Sequence, residues 1–481
     1  SKINGDNNTT LNITNYDLNQ TPIINRNRNT FEDSFDEDIS YSISYKKKIN
    51  DKGHKLDADY QFSRGYDIED RSIKEFLKND LNDINSSMVI TDDKQINQLL
   101  QANYMFPFGE KNNSTLEIGY RGTFDDYNID YLEGAISNSI FYRDSKYSNN
   151  LIYNQKVNAG YLHFKRGFKN FSFSTGIRAE HTNLKVNLTN LNREDRSDYL
   201  DWFPSLFLKY DLSTKEKISI NYTRRLSRPS AGSLNPFPNR VSKSNLFHGN
   251  PELTPMYTNS YEFNYINKWS KITFNSSIFY AKTTDPVYFV NIENGDLYNI
   301  DDPNSPGNTI TIPVIAKVKM NLAKENRYGI DLTATYVPKK YWRFSINSYL
   351  YYQYIDSEYS YTNIFDERIT KKFNIDQVRC VASFNSKIPL PYKIGFHTNF
   401  YYIGANNNSE TKTKSLNRLN LSISKKFMEN RASITLGVRD VFNNFQRYSQ
   451  THLSNSKSKN ILKSDMRYIS ATINYKFNQK K

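Results

Sequence analysis

Short turns divide most of this sequence into pairs of runs in which apolar and polar residues alternate. In the last run, Ile469, Ala471 and Ile473 alternate with Ser, Thr and Asn, which is the period-two pattern of a strand with one apolar face. The turns between such runs are DKGH (51–54), GEKN (109–112), GFKN (167–170), STKE (213–216), KWSK (268–271), PKKY (338–341), PLPY (389–392) and MENR (428–431). These eight turns join eight strand pairs, and single strands at 10–16 and 468–477 bring the predicted number to eighteen.

Longer connections are expected at the other ends of these strands. They are residues 17–36, 66–93, 127–149, 228–257, 285–321 and 446–463. Short turns at one end and long loops at the other are typical of bacterial outer-membrane barrels, in which the short turns face the periplasm. Within the second loop, apolar residues have helical spacing, which predicts a short helix there. Those residues are Ile73, Phe76, Leu77, Leu81 and Ile84.

The composition favours a membrane barrel over the other classes. Aromatic residues make up 15% of the chain, with 37 Tyr and 30 Phe, although only 37% of residues are apolar. Disordered chains of this polarity are poor in aromatics, and no apolar run is long enough for a membrane helix. A membrane barrel needs an apolar residue only at every second position and places aromatic girdles at both interfaces. A soluble sandwich would show the same alternation, but the length and the one-sided loops favour a transmembrane antiparallel β-barrel, a single all-β domain over residues 1–481.

Nothing in the sequence predicts a cofactor, a metal site or nucleic-acid binding. The net charge is +14, but Lys and Arg are spread along the chain and no nucleic-acid motif occurs. The six His residues lack metal-ligand spacing, and Cys380, in the strand-like run 377–384, has no disulfide partner. The acidic segments 125–133 and 291–305 offer oxygen ligands for calcium without an EF-hand pattern, which favours solvated loops. Catalysis is unsupported, because no nucleophile or phosphate-binding motif occurs.

One loop is unlike the others in its residue types. It joins the alternating run that begins at Lys217 to the one that ends at Tyr265. Its turn-forming residues are Pro229, Asn235, Pro236, Pro238, Asn250, Pro251 and Pro255. Proline fixes the backbone and excludes a helix interior, so this density predicts a rigid, shaped loop between two strands.

This segment resembles a known family. YTRRLSRPS, LNPF and GNPELTPMYTNSYE follow one another here, as in TonB-dependent receptors of the outer-membrane β-barrel family common in Bacteroidetes. The motif-loop residues that carry the resemblance are Arg224, Arg225, Arg228, Pro229, Asn235, Pro236, Gly249, Asn250, Pro251 and Pro255. Other similar runs occur in the same order: GIRAEHT (176–182), FPSLFLKY (203–210), YGIDL (328–332), WRFS (342–345), VRDVFN (438–443) and a last strand ending at Phe477.

The resemblance implies energised uptake of a scarce nutrient across the bacterial outer membrane. In that family, a plug domain fills a 22-strand barrel and couples to an inner-membrane complex through TonB. This chain lacks a recognisable plug and has about eighteen strands, so we expect a plug and about four strands upstream of Ser1. The alternative is a plug-less barrel that serves as a subunit of a larger outer-membrane assembly or export complex, together with a surface lipoprotein or other subunits. A barrel-borne hydrolase ranks third.

Two groups of residues have predicted roles. Arg224, Arg225 and Arg228 crowd a strand end, where they either pair with acids of the barrel wall and hold the loop, or bind a carboxylate or another anionic ligand. Pairing with the wall is the favoured interpretation. At the C-terminus, Phe477 with Tyr475 and Ile473 on the same face resembles the aromatic signal that hands barrel strands to the insertion machinery.

Overall fold

We describe a computed structural model of the chain. It describes residues 2–16, 22–77, 80–109, 113–237, 239–242, 245–301, 309–362, 367–452, 457–463 and 467–477. Nearly all of these residues are in strands, and in this part of the chain no helix is long and apolar enough to cross a membrane.

The strands follow one another with few other elements between them. The first fourteen are β1 (Lys2–Tyr16), β2 (Pro22–Lys48), β3 (Lys55–Leu77), β4 (Asp80–Phe108), β5 (Ser114–Ser137), β6 (Ile140–Arg143), β7 (Asn149–Gly167), β8 (Phe171–Leu188), β9 (Arg193–Asp211), β10 (Glu216–Ser227), β11 (Asn239–Ser242), β12 (Asn245–His248), β13 (Met256–Lys268) and β14 (Ile272–Thr284). The others are β15 (Val287–Asp301), β16 (Thr309–Asn321), β17 (Lys324–Tyr336), β18 (Arg343–Thr362), β19 (Arg368–Leu390), β20 (Ile394–Ile403), β21 (Asn406–Asn407), β22 (Thr411–Thr413), β23 (Leu416–Phe427), β24 (Ala432–Arg439), β25 (Gln446–His452), β26 (Lys457–Lys463) and β27 (Tyr468–Tyr475). A single helical turn, α1, spans Ala231–Leu234.

One large sheet forms the wall. It has nineteen strands in the described residues, and β6 is only a four-residue hairpin arm attached to β5. The other eighteen pair antiparallel in chain order from β1 to β27. The predicted number of eighteen strands is therefore confirmed, as are the short turns. The GEKN turn lies mostly outside the described residues, but the flanking strands pair from Phe108↔Ser114.

Several predicted loops are instead strand. Residues 22–36 belong to β2, and β3 and β4 occupy most of the predicted loop 66–93. The predicted helix there was wrong: the backbone of Ile73 pairs with Ser87 and that of Phe76 with Ile84. The apolar residues here do have helical spacing. Continuous backbone hydrogen bonds between β3 and β4 nevertheless favour strands, because each paired residue satisfies its backbone N–H and C=O groups. Residues 17–21 and 78–79 lie outside the described residues.

Aromatic side chains form a belt across the outward face of the wall. Tyr222, Tyr261, Tyr280, Tyr328 and Tyr352 are directly opposed on five consecutive strands. Their ring centroids are 5.0, 6.1, 6.1 and 5.2 Å apart in that order. A second group of aromatic rings lies at the short turns, including Phe168, Phe171, Trp269, Trp342 and Phe344. Two aromatic girdles that bound an apolar outward band are the pattern of a transmembrane barrel.

Two small sheets are built from the long loops. One joins β11, β12, β16 and β15, and the other joins β21, β22, β25 and β26. In the first, β12 and β16 pair in parallel from Asn245↔Ile315 to His248↔Val318. Loops that are distant in sequence are therefore joined at the outer end of the wall.

Candidate ligand-facing site

The strands that flank the motif loop, residues 228–255, pair with each other along their whole length. β10 and β13 are in register from Glu216↔Asn267 to Ser227↔Met256. The Arg224 guanidinium lies over the ring of Tyr257, 5.1 Å from its centroid, and the Tyr257 hydroxyl donates to Asp201 Oδ2 at 3.1 Å. Arg225 lies on the opposite face of β10 and is exposed. The three motif arginines thus have different surroundings.

Arg228 joins the motif loop to the wall at β8. Its Nη2 lies 2.7 Å from Oε2 of Glu180, and the guanidinium also donates to Thr182 Oγ1 at 2.7 and 3.2 Å. Arg178 Nε donates to the same carboxylate at 2.6 Å. The side chains of Arg228 and Glu180 are only 19% and 13% exposed, so the pair is largely shielded from water. For Arg228, this is the wall contact that the favoured interpretation predicts; a contact with ligand stays a prediction.

The second and third parts of the motif are held together by backbone hydrogen bonds. Gly249 N donates to Asn235 O at 2.7 Å, and Asn250 N donates to Ser233 O at 2.7 Å. A Cβ atom on Gly249 would lie 2.4 Å from Ser233 O and 2.6 Å from Asn235 O. Glycine is therefore the residue that allows the two segments to approach this closely.

Asparagine side chains complete the turns of the loop. Asn235 Oδ1 accepts from Phe237 N at 3.2 Å, and Asn250 Oδ1 accepts from Glu252 N at 2.9 Å. These are the local side-chain to backbone bonds that favour asparagine in turns. The motif prolines flank these turns and are half-buried: Pro229, Pro236, Pro251 and Pro255. Pro238 lies outside the described residues.

Apolar residues fix the loop on the inner face of the wall. Ala231, Leu234 and Leu253 form one buried cluster with four wall residues of β7 and β8. The four are Leu151, Tyr153, Val186 and Leu188. Leu151 and Leu188 have no exposed surface. The motif loop is therefore a folded element that packs inside the barrel, which its polar sequence alone did not indicate.

The next long loop, the hairpin β15–β16, packs against a different part of the inner wall. Val290 and Leu322 are buried with side chains of β18 and β19, including Ile355 and Phe373. The strand pair β12–β16 connects this hairpin to the motif loop. Because β9, β10, β13, β14 and β17 separate β8 from β18 in the wall, the two loops together bridge the interior.

Polar contacts hold this bridge. The Asn321 side chain accepts from Thr254 N at 2.9 Å and donates to Thr254 O at 3.0 Å, and Lys319 Nζ donates to Ser233 Oγ at 2.6 Å. Farther along, Asn291 Nδ2 donates to Glu410 Oε2 at 2.6 Å. These bonds connect the hairpin to the motif loop on one side and to the β21–β22 loop on the other.

The buried carboxylate of Glu410 also organises groups around it. The Tyr359 hydroxyl donates to Glu410, and burial followed by this hydrogen bond raises the pKa of Tyr359. Burial lowers the pKa of Lys317, and the charge of the nearby Glu410 carboxylate partly offsets this decrease. Glu410 is 8% exposed. The cluster can fix the loops in one arrangement, since both carboxylate oxygens of Glu410 accept hydrogen bonds from the protein.

The C-terminal residues lie on the outward face. Ile473 is 73% exposed and Phe477 81% exposed, and the rings of Tyr475 and Phe477 are 4.7 Å apart. β27 ends at Tyr475, two residues before Phe477. Their role in insertion stays a prediction.

The described residues contain no group of three or more His, Cys, Asp or Glu side chains that could hold a metal ion. Residues 125–133 lie within β5 and are not a loop. Of the second acidic segment, residues 302–305 lie outside the described part of the chain. Cys380 is a free, half-buried cysteine in β19, where the sequence placed a strand.

The sequence of most of the chain, residues 47–475, matches the model of the outer membrane protein beta-barrel family. The chain belongs to this family. It is therefore a bacterial outer-membrane β-barrel, and the predicted fold and location are confirmed. A search of curated protein sequences finds no significant match.

Solved structures with the same fold include uptake proteins. The ferric yersiniabactin uptake receptor FyuA from Yersinia pestis is 12% identical, with a TM-score of 0.54 over 98% of this chain and 74% of that one. The copper transporter OprC is 9% identical, with a TM-score of 0.56 over 98% of this chain and 76% of that one. The ferric citrate transporter FecA in its unliganded form is 11% identical, with a TM-score of 0.56 over 99% of this chain and 76% of that one. At these identities, the likeness concerns the fold.

Sequence reasoning missed the residues that join the loops to each other. Glu410, Asn321 and Lys319 belong to no motif, and their partners are 119, 67 and 86 positions away. The one signal in the sequence was the pair of apolar runs within 287–322, most of which lies in the predicted long loop 285–321. Such runs predict strands with a buried face.

Proposed function

We propose that this chain forms the barrel of an outer-membrane receptor that takes up a scarce nutrient with energy delivered through TonB. The motif loop carries this proposal, because it folds inward onto β7 and β8 and joins a second loop that reaches β18 and β19. A general diffusion pore needs an open mouth, whereas a selective receptor needs an ordered surface that meets the ligand. The fold shared with uptake proteins is consistent with this function.

The experiment compares nutrient accumulation in four strains of the source bacterium. The strains are wild type, a deletion of this protein, a deletion of TonB, and the protein deletion complemented in trans. Labelled iron chelates, copper, cobalamin and oligosaccharides are offered at limiting concentration. We expect uptake of one nutrient to be lost in both deletion strains and restored by complementation.

Two other outcomes would overturn the proposal. Uptake that needs this protein but persists without TonB would make it a passive pore. Normal uptake of every nutrient, together with co-purification of a stoichiometric outer-membrane subunit, would identify it as part of a larger assembly or export complex.

A further inference from the structure

On the inner face of strands β18 to β27, the described strand residues include cations and no carboxylate, and Asp440 lies just beyond the end of β24. Register assigns this face to the odd positions of β18–β20 and β24 and to the even positions of β23 and β27. Its basic residues are Arg343, Lys371, Arg379, Lys387, His397, Arg418, Lys426 and Arg439. On these strands the charged side chains that face the interior are therefore all cationic.

Several cations elsewhere on the inner face have acidic partners. Examples are Arg71 with Glu69, Lys55 with Asp57, Arg178 with Glu180, Lys209 with Asp211 and Arg327 with Glu325. Within the part of the chain that the structure describes, none of the basic residues on β18–β24 forms an ion pair. This part of the wall thus lacks the ion pairs that neutralise those other cations.

The charges are also placed where they repel one another. Arg343 is directly opposite Lys387 on the neighbouring strand, and the imidazole of His397 lies opposite Lys387 on the strand after that. Like charges directly opposite each other destabilise a sheet. The row continues through Ser422 and Gly437, so no acidic side chain relieves it. An anion from outside the wall would remove this repulsion.

A row of side-chain amides lies beside this row, two residues farther along each of three strands. Asn399 Nδ2 donates to Asn385 Oδ1 at 2.7 Å, Asn420 Nδ2 donates to Asn399 Oδ1 at 2.9 Å, and Asn420 Oδ1 accepts from Asp440 N at 3.0 Å. The two rows line a cavity of 460 Å³. This volume is in the range of small-molecule sites. The lining residues include Arg343, Lys387, His397, Asn399 and Arg439.

We propose that this pocket on the inner wall is a binding site for oxyanions, and that the nutrient taken up carries carboxylate or phosphate groups. The inference about the nutrient rests on the proposed uptake function. Arg343 would bind the oxyanion through two N–H groups of its planar guanidinium, and Lys387 would supply a second, more mobile positive charge. The row of hydrogen-bonded asparagine side chains is held in one geometry, so the site needs little reorganisation when the anion binds.

The test is calorimetric titration of the purified full-length protein in detergent at low ionic strength, with inorganic phosphate and with citrate as probes. We expect saturable binding of at least one probe. Arg343→Gln and Lys387→Gln should each weaken it about tenfold, since each removes a charge-assisted hydrogen bond. Arg343→Lys keeps the positive charge but loses the planar guanidinium, so it should weaken probe binding less than Arg343→Gln does. Lys425→Gln is the matched control, because Lys425 lies on the outward face of β23 opposite Ile394.

The outcomes separate this inference from the proposed function. Absence of saturable binding of both probes to the wild type, or equal weakening by Lys425→Gln, would overturn the oxyanion site. Carbodiimide coupling of Lys387 to an acidic protein segment inside the barrel, without binding of the probes, would overturn it as well. If uptake requires TonB but the probes do not bind, only the oxyanion site fails; if the probes bind but uptake is independent of TonB, only the proposed function fails. Heat-shifted migration of each variant on gels verifies that the barrel has folded.

Discussion

The carboxylate of Glu180 on β8 accepts a hydrogen bond from the guanidinium of Arg228 at 2.7 Å, and this contact anchors the start of the motif loop to the barrel wall. We expect Arg228→Gln to lower the stability of the folded barrel by about 1.5–3 kcal/mol, the usual contribution of hydrogen bonds to charged groups. The value should be near the lower limit, because Arg178 still donates to Glu180. The measurement is the temperature at which the heat-modifiable folded band disappears.

Two further variants complete this test. Glu180→Gln and the double variant form a double-mutant cycle with Arg228→Gln, and exposed Arg225→Gln is the control that should change little. A correctly inserted Arg228→Gln protein of normal stability that fails to take up its nutrient would instead assign Arg228 to the ligand.

Gly249→Ala should disrupt the contact between the second and third parts of the motif. The added Cβ would lie 2.4 Å from Ser233 O, so the two segments must separate, at a cost of about 1–3 kcal/mol. We expect faster proteolysis within residues 228–255 while the wall remains intact. Gly232→Ala is the matched control, since a Cβ there meets nothing within 4 Å. Similar proteolysis rates for both variants would show that the close approach is not required.

A charge on the outward face near the C-terminus should be far more costly than one on the inward face. Leu436 and Ile473 are 56% and 73% exposed on the outward face, and Thr435 is directly opposite Thr472 on the inward face. We expect Leu436→Arg and Ile473→Arg to cost about 2–4 kcal/mol at the bilayer midplane. Thr435→Arg and Thr472→Arg should cost much less. Equal loss of the folded band at the paired positions would contradict the assignment of faces.

Phe477→Ala should lower the amount of barrel in the outer membrane more than deletion of residues 478–481 does. The physical reason is that Phe477 and Tyr475 present adjacent aromatic rings on the outward face, where assembly factors and lipid can reach them. Quantitative immunoblots of outer-membrane fractions check this ranking. If the deletion has the larger effect, the aromatic pair is not the signal.

Asp67 should make the barrel more stable at mildly acidic pH. It is directly opposite Asp36 and Asp93, and burial followed by the charge of Asp36 raises the pKa of Asp67 to about 6. Exposed Arg64 and Lys94 on the outward face place this row beyond the lipid-facing band. Because the unfolded chain ionises at a lower pH, the folded state binds an extra proton as pH falls from 7 towards 4, and stability rises.

Asp67→Asn should therefore raise the melting temperature of the folded band at pH 7.5 and flatten its dependence on pH between 4 and 7. Asp51→Asn, in an exposed short turn, should leave that dependence unchanged. A wild-type barrel whose stability falls steadily with acidification through this range would refute the prediction.

The alternation of side chains and the eight short turns were sufficient to predict the wall. Strand patterns such as Ile469, Ala471 and Ile473 are local, since each side chain's face follows from its position along the strand. The number of strands follows from counting turns, and the tyrosine content indicated girdles. The motif likewise marked Gly249 and Asn235 as special, because their turn chemistry depends on residue type.

Tertiary structure decided what the loops do. Whether residues 73–84 form a helix or extend two strands depends on pairing partners that a local pattern does not contain. The buried cluster that contains Leu234 and Leu188 joins a loop to distant strands, and the hydrogen bond from Asn291 to Glu410 joins two different loops. Such contacts depend on which distant side chains the strand register brings together. The sequence therefore determined the barrel and its faces, and the packing of distant segments determined how the loops are arranged inside it.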